Sequence, residues 1–308
     1  MTYVFYPGCS LEGTARDFHL STLAVAKGMG LALPEIPDWI CCGSTAAHSS
    51  DPVLALALPA QNLQSASKVK TADGVPPTVA VACAACYSRL KVANHHIAHE
   101  PQTRQKVAQA LGSDYDGKVP VKHLLEILGR DLGPKKIAAK IRRPLKGLKV
   151  VCYYGCLLSR PPEITNFDDA ENPRLMDDVM EAAGATVLDW PHKTECCGAS
   201  FSITDVTIVQ QLTREILSMA RAVGADCIVT ACPLCQLNLD MRQKEIEERY
   251  KEQYGLPVFF FSQLLGLAMG LSGQELSLRS LVVDPLPLLQ DKGIAVTELS
   301  RTSNEAES

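Results

Sequence analysis

Short apolar runs alternate along this chain with longer amphipathic stretches. Tyr3–Tyr6 and Lys149–Tyr153 are compact apolar runs that end near a glycine, and Val79–Ala82 and Ala185–Trp190 read as buried strands. Pro52–Val69 and Asp205–Val223 carry apolar residues at helical spacing, with Asp51 and Thr204 as the expected N-caps. Each half therefore reads strand, loop, helix, strand, loop, helix, strand, helix. Strands alternating with helices predict an α/β fold of parallel βαβ units.

The halves repeat in detail, and cysteines mark the repeat. Cys9, the pair Cys41-Cys42 and Cys83-x-x-Cys86 are answered by Cys156, the pair Cys196-Cys197 and Cys232-x-x-Cys235. Between the single cysteine and the pair lie 31 and 39 residues, and between the pair and the CxxC 40 and 34. Flanking residues match too. YPGC answers YGC, which sets Tyr6 against Tyr154; WICCGS answers TECCGA; VAVACAAC answers CIVTACPLC. This is a duplicated domain, with boundaries at 1–133 and 149–290, a linker at 134–148 and a tail at 291–308 expected to be disordered. The unmatched Cys152 and Cys227 fall inside apolar strand runs and read as core residues.

The repeat puts every paired cysteine where an α/β sheet gathers its ligands, at the carboxyl ends of strands. Cys9 and Cys156 follow a first strand, the CCG pairs a second, and Cys83 and Cys232 a third, each opening a helix. Pro233 suits a first helical turn, and a helix N-terminus favours the thiolate, the form that binds metal.

Thirty basic against 34 acidic residues give a net charge of −4, which argues against general nucleic-acid binding. The N-terminus lacks the pattern of a signal peptide. Val258–Leu271 is too short to span a bilayer and reads as a core strand and helix. A cytoplasmic protein is expected, reaching a membrane only through partners. In a reducing compartment, twelve cysteines point to metal or catalysis rather than disulfides.

Three uses of the thiols compete. A CxxC alone can be a redox pair, which leaves the CCG and the single cysteine unexplained. Structural zinc takes four thiolates and strands a fifth in each half. An iron–sulfur cluster accepts thiolates from scattered loops, although an ordinary cubane needs four. Two adjacent thiols make sense if they reach two neighbouring irons. The glycine after each pair, Gly43 or Gly198, would then let the backbone pass the metal without a Cβ.

At this point the doubled ten-cysteine pattern resembles the CCG domains of the heterodisulfide reductase B-subunit family, over roughly residues 1–290. The resemblance implies two CCG domains related by a pseudo-two-fold axis, each holding a noncubane [4Fe-4S] cluster on five cysteines. One cluster would use Cys9, Cys41, Cys42, Cys83 and Cys86, and the other Cys156, Cys196, Cys197, Cys232 and Cys235. It implies a disulfide opened between the two clusters, or thiol or persulfide sulfur oxidised in reverse. The family's partners are an iron–sulfur protein with two cubanes (the C subunit) and a flavin-binding protein (the A subunit). YPGCSLEGTA and CCGSTAAHS look closer to the bacterial branch, whose substrate is a thiol such as a lipoate-type sulfur carrier, than to the methanogen branch with its coenzyme M–coenzyme B disulfide. The alternative is an electron-transfer component of a succinate dehydrogenase- or glycolate oxidase-type complex. Zinc in one half is the alternative cofactor.

His48, six residues past Cys42, and His192, four before Cys196, are candidate proton donors, with loop packing as the plainer role. His95, His96 and His99 read as a solvated helix face. Tyr6 and Tyr154 either line the cleft or end a strand. The stretch 135–149 holds seven basic residues and no acid, and is either a solvated linker or a docking surface for an acidic partner.

Overall fold

The computed structural model describes residues 2–44, 47–71 and 74–298. Two parallel sheets carry the fold. The first has strands β1 (Tyr3–Tyr6), β2 (Thr78–Val81) and β3 (Val121–His123), in the order β1-β2-β3. The second has β4 (Lys149–Tyr153), β5 (Thr186–Val187), β6 (Cys227–Thr230) and β7 (Val258–Phe260), in the order β5-β4-β6-β7. The duplication is thus visible strand by strand: β1, β2 and β3 correspond to β4, β6 and β7. Cys152 and Cys227 are fully buried in β4 and β6, as the apolar runs around them required.

The second strand of each half is weaker than expected. Only Thr186 and Val187 of the run 185–190 pair with β4; the run ends as Trp190 turns its indole N–H onto the Cys152 carbonyl at 3.0 Å. In the first half the corresponding segment makes a single bridge, Phe5 to Glu35, and reaches the first CCG pair as coil.

The helices fall near their expected bounds, at Leu54–Ser67 and Val206–Ala222. Asp51 caps the first through Leu54 N at 2.7 Å. The second is capped by Asp205 and not Thr204: the Asp205 carboxylate accepts from Thr207 N and Ile208 N, and a carboxylate also complements the positive helix end.

The halves clasp each other. The helix after β7, Phe261–Met269, packs on Arg16–Met29 of the first half, and the helical turns after β3 pack on Leu175–Ala182 of the second. Phe18 stacks on Phe260 with ring centroids 4.0 Å apart, and the buried hydroxyls of Ser21 and Ser262 pair at 2.7 Å. Gly28 faces Met269 and Gly129 faces Leu175, where a Cβ would lie 2.4 and 2.5 Å from the opposing side chain.

Residues 134–148 do more than join the halves. They include a short helix, Pro134–Ala138, and bury Ile137, Leu145 and Leu148, while Arg142 and Arg143 donate their amides to Ala268. The expected disorder from residue 291 is corrected for 291–298. Ile294 is buried, and Gly273 and Gln274 donate amides to Thr297 and Glu298. Residues 299–308 of that tail lie outside the described residues. Among the described residues no helix is long and apolar enough to cross a membrane.

Candidate metal centres

In each half the five cysteines arrive from three segments. Cys9 and Cys156 follow β1 and β4 directly. Cys83 and Cys232 are the N-cap residues of the helices Ala84–His99 and Pro233–Met241, which follow β2 and β6, and Cys86 and Cys235 lie in the first turns of those helices. Pro233 occupies the first helical turn. The CCG pairs come in on irregular loops.

The two members of each adjacent pair reach different thiols beyond the pair, and in the first half they also touch each other. Cys41 meets Cys9 at 3.4 Å, whereas Cys42 meets Cys86 at 3.3 Å. Likewise Cys196 meets Cys156, while Cys197 lies 3.5 Å from Cys235. Each site therefore has a buried end, built from the CxxC and the second cysteine of the pair, and an open end. Cys9, Cys41 and Cys196 are exposed and Cys156 is half-buried.

Matched tyrosines brace both sites. The Tyr6 hydroxyl donates to the Ile40 carbonyl at 2.7 Å, and the Tyr153 hydroxyl to Glu195 at 2.6 Å. Each bond ties the end of a first strand to the residue before a cysteine pair. The counterpart of Tyr6 is thus Tyr153, where Tyr154 was expected. Tyr154 instead turns to Asp177 and holds it by a short hydrogen bond. Burial, with the thiols around each ring, drives the Tyr6 and Tyr153 phenols well above their ordinary range, so they stay protonated as donors.

The glycines divide the work differently from the expectation. A Cβ on Gly43 would meet Ala47 and Leu58, and one on Gly198 would meet Leu212 and Val209, so neither is kept small by a thiol. Their amides instead donate to the first thiol of each pair, Cys41 at 3.4 Å and Cys196 at 3.3 Å. The close approach belongs to Gly8 and Gly155, both at positive φ, where a Cβ would stand 3.0 Å from the Cys86 sulfur and 3.1 Å from that of Cys235.

Thiols that accept from their neighbours are the easiest to ionise. The Cys42 thiol is lowered to about 3 by Cys41 and Cys86 beside it, and Cys196 to about 6 by Cys156. Cys232 is held low by Cys235 and Cys83. The amides of Leu234 and Cys235 at the helix start favour the same thiolate. Cys41, Cys83, Cys86, Cys156 and Cys235 are pushed up in turn, each first by a hydrogen bond to a neighbouring thiol.

The spacing tests the choice of metal. One tetrahedral zinc would hold its four sulfurs roughly 3.8 Å apart. Among the described residues no three thiols lie within 4.8 Å of one another. The thiols touch in an extended chain rather than a compact foursome, which fits a polynuclear cluster better than a single ion.

The candidate proton donors stand apart from the thiol contacts. His48 lies in the turn Ala47–Ser50, near Ser49. His192 stacks on Trp190, and its buried Nδ1 has no hydrogen-bond partner. On the far helix His96 pairs with Glu100 at 2.6 Å, and His95 and His99 lie ring to ring, as a solvated face would. Sequence reasoning passed over His123 and Arg89. His123 is fully buried and bonds Ala82, the residue before Cys83, at 2.6 Å. The positive charge of Arg89 helps to hold the Cys42 thiol low. The repeat gave a signal for Arg89: it follows Cys83 by six residues, as Asn238 follows Cys232.

Cysteine-rich α/β domains of this kind define a class of redox protein, and the comparisons agree. The CCG cysteine-rich domain family matches residues 3–91 and 150–240, and the chain belongs to that family. The membrane anchor of the 8-methylmenaquinol:fumarate reductase of Wolinella succinogenes is 31% identical, with 93% of this chain and 98% of that protein aligned. The B subunit of a ferredoxin/F(420)H(2)-dependent CoB-CoM heterodisulfide reductase from Methanosarcina acetivorans is 30% identical over 92% of this chain and 94% of that one. Among solved structures, a hypothetical protein from Helicobacter pylori superposes with a TM-score of 0.70 at 13% identity. It covers 92% of this chain, which spans about half (52%) of that protein, and it attests the fold.

Proposed function

We propose that the chain is the thiol-cluster component of a heterodisulfide reductase-like complex, with one noncubane [4Fe-4S] cluster in each half. The observation that carries the reading is the run of thiols through each adjacent pair, in which Cys41 meets Cys9 at the open end, its neighbour Cys42 meets Cys86 at the buried end, and the two also touch each other. Two neighbouring thiols that face different partners suit two neighbouring metals. Cys9, Cys41, Cys42, Cys83 and Cys86 would hold the first cluster, and Cys156, Cys196, Cys197, Cys232 and Cys235 the second. When bound, each cluster supplies one electron and a Lewis-acidic iron to one sulfur of a disulfide. Two electrons and two protons convert one disulfide into two thiols.

The chain's own residues would hold the thiolates, open the site toward Cys9, Cys41, Cys156 and Cys196, and keep the CxxC ends dry. His48 and His192, each near one pair in sequence, are the proposed proton sources. All ten paired cysteines are taken up by the two sites, so electrons would enter from partner proteins, proposed as the two-cubane iron–sulfur protein and the flavin-binding protein that the resemblance implies. A bacterial-type substrate, a thiol or disulfide such as a lipoate-type sulfur carrier, fits the sequence resemblance.

A second reading is supported by the 31% relative from Wolinella succinogenes, whose name places it in a menaquinol:fumarate reductase. On that reading the chain passes electrons and binds no disulfide. The test is EPR of the reduced, anaerobic protein before and after a small disulfide is added. A change in the cluster spectrum together with two thiols released per disulfide supports the first reading; an unchanged spectrum with no thiol release supports the second.

A further inference from the structure

Away from the thiols, three ligand-bearing side chains converge. Glu12 ends the helix Gly8–Glu12, His19 lies in the helix Arg16–Met29, and Glu35 lies at the bridge to Phe5. One ligand atom from each falls within 4.8 Å of the other two. His19 Nδ1 is 3.4 Å from Glu12 Oε1, and its Nε2 is 3.9 Å from Glu35 Oε1. The His19 side chain is 9% exposed and leans on the Phe5 ring, and its buried Nε2 has no hydrogen-bond partner. No lysine or arginine among the described residues pairs with either carboxylate.

The other half shows what this place in the fold needs. There Tyr154 and Gly155, just before Cys156, donate their amides to the carbonyl of Lys193, three residues before Cys196. The buried ammonium of Lys193 meets Asp177 at 2.8 Å. A built-in cation thus helps to tie the loop of the single cysteine to the loop of the pair. In the first half, His19 lies between Glu12, three residues past Cys9, and Glu35, six before Cys41. This group has two carboxylates and an unsatisfied nitrogen but no fixed cation.

We propose that Glu12, His19 and Glu35 bind a divalent first-row transition-metal ion that clamps the loop of Cys9 to the segment leading into Cys41-Cys42. One imidazole and two carboxylates suit such ions, whereas Mg²⁺ and Ca²⁺ prefer an all-oxygen shell. Bonds of about 2.1 Å place neighbouring ligands roughly 3 to 4 Å apart. One ring nitrogen of His19 would ligate the ion, and the carboxylate facing the other nitrogen would swing to it, which the half-exposed side chains, at 44% and 47%, allow. The clamp does not rest on the disulfide chemistry proposed above.

Manganese is the probe, because it prefers oxygen and nitrogen over thiolate. Mn²⁺ is titrated into anaerobic, cluster-loaded protein in excess Mg²⁺, and free ion is counted by room-temperature EPR. The expected result is one bound Mn²⁺ per chain, weakened at least about tenfold in E12Q/E35Q and in H19Q. Iron content, read in the same samples, is expected to stay constant in E12Q/E35Q, whose substituted side chains are exposed. Absence of a bound Mn²⁺, or equal binding by wild type and E12Q/E35Q, overturns the site. Hydrogen exchange of residues 9–13 and 35–41 is expected to slow on Mn²⁺ addition in the wild type alone; exchange that ignores the ion overturns the clamp.

Discussion

The amide of Ala84 donates to the carbonyl of Ala231 at 3.3 Å. One bond thus joins the residue after Cys83 to the residue before Cys232, across the line between the repeats. The buried ends of both thiol sites meet here, and Cys83 and Cys232 are close enough for each to shift the other's ionisation. The two sites form one unit, with their open ends left to solvent.

His123 sits beneath this junction. Its ring bonds the Ala82 carbonyl, and burial pushes its imidazole down to about 4 from 6.5. The unfolded chain then binds a proton that the folded one refuses. Stability is highest above pH 6.5 and falls as the pH drops from about 6.5 to 4, by up to about 1.4 kcal/mol per pH unit and about 3 in all. In H123Q this contribution disappears. Thermal unfolding from pH 7.5 to 5 is expected to show a shallower acid decline for H123Q than for wild type, on a lower baseline at pH 7.5.

Lys193 and Asp177 are an internal ion pair, with side chains 3% and 1% exposed. Lys193→Met strands the Asp177 carboxylate in the interior, at a cost of about 3–5 kcal/mol. Because the pair holds the approach to Cys156 and Cys196, iron per chain is expected to fall toward half the wild-type value. Calorimetry and iron analysis of the same preparation check both effects.

Arg89 and Asn238 hold equivalent places beside the two sites. Arg89 brings a positive charge toward Cys42, whereas the Asn238 amide donates to the Cys197 carbonyl at 3.2 Å. A cation favours the more negative, reduced state of a nearby centre. Arg89→Gln is expected to lower the midpoint potential of one centre by about 59 mV, a tenfold change for one electron, and to leave the other in place. An EPR-monitored redox titration distinguishes the two centres.

The stretch 135–149 keeps all seven cations exposed, and none forms an ion pair with the described residues. If it docks an acidic partner protein, binding weakens with salt. K135E/K136E/K140E is expected to lower partner affinity roughly tenfold in low salt, chiefly through the association rate, with unfolding temperature unchanged. Binding kinetics at two ionic strengths check it.

The grouping of the ten paired cysteines at two places was legible because a repeat displays its residues twice. Cys152 and Cys227 were legible as core because strand burial follows from apolar runs. Local chemistry misled at single positions. Thr204 and Asp205 are both good caps, and only the backbone path decides between them. Tyr153 and Tyr154 are neighbours on opposite faces of the chain, so a one-residue slip in alignment exchanged a brace of the site for a partner of Asp177. The first CCG loop was expected to follow a strand, but its segment makes only the Phe5–Glu35 bridge. Glu12, His19 and Glu35 span 24 positions and share no motif; only the packing of helix 16–29 beside β1 brings them together.

The most direct test of the central claim is the iron, acid-labile sulfide and zinc content of the anaerobically purified chain. Two clusters on ten cysteines predict about eight irons and eight sulfides per chain, with no zinc. One zinc in place of iron in either half would contradict the paired-cluster account and make that half structural.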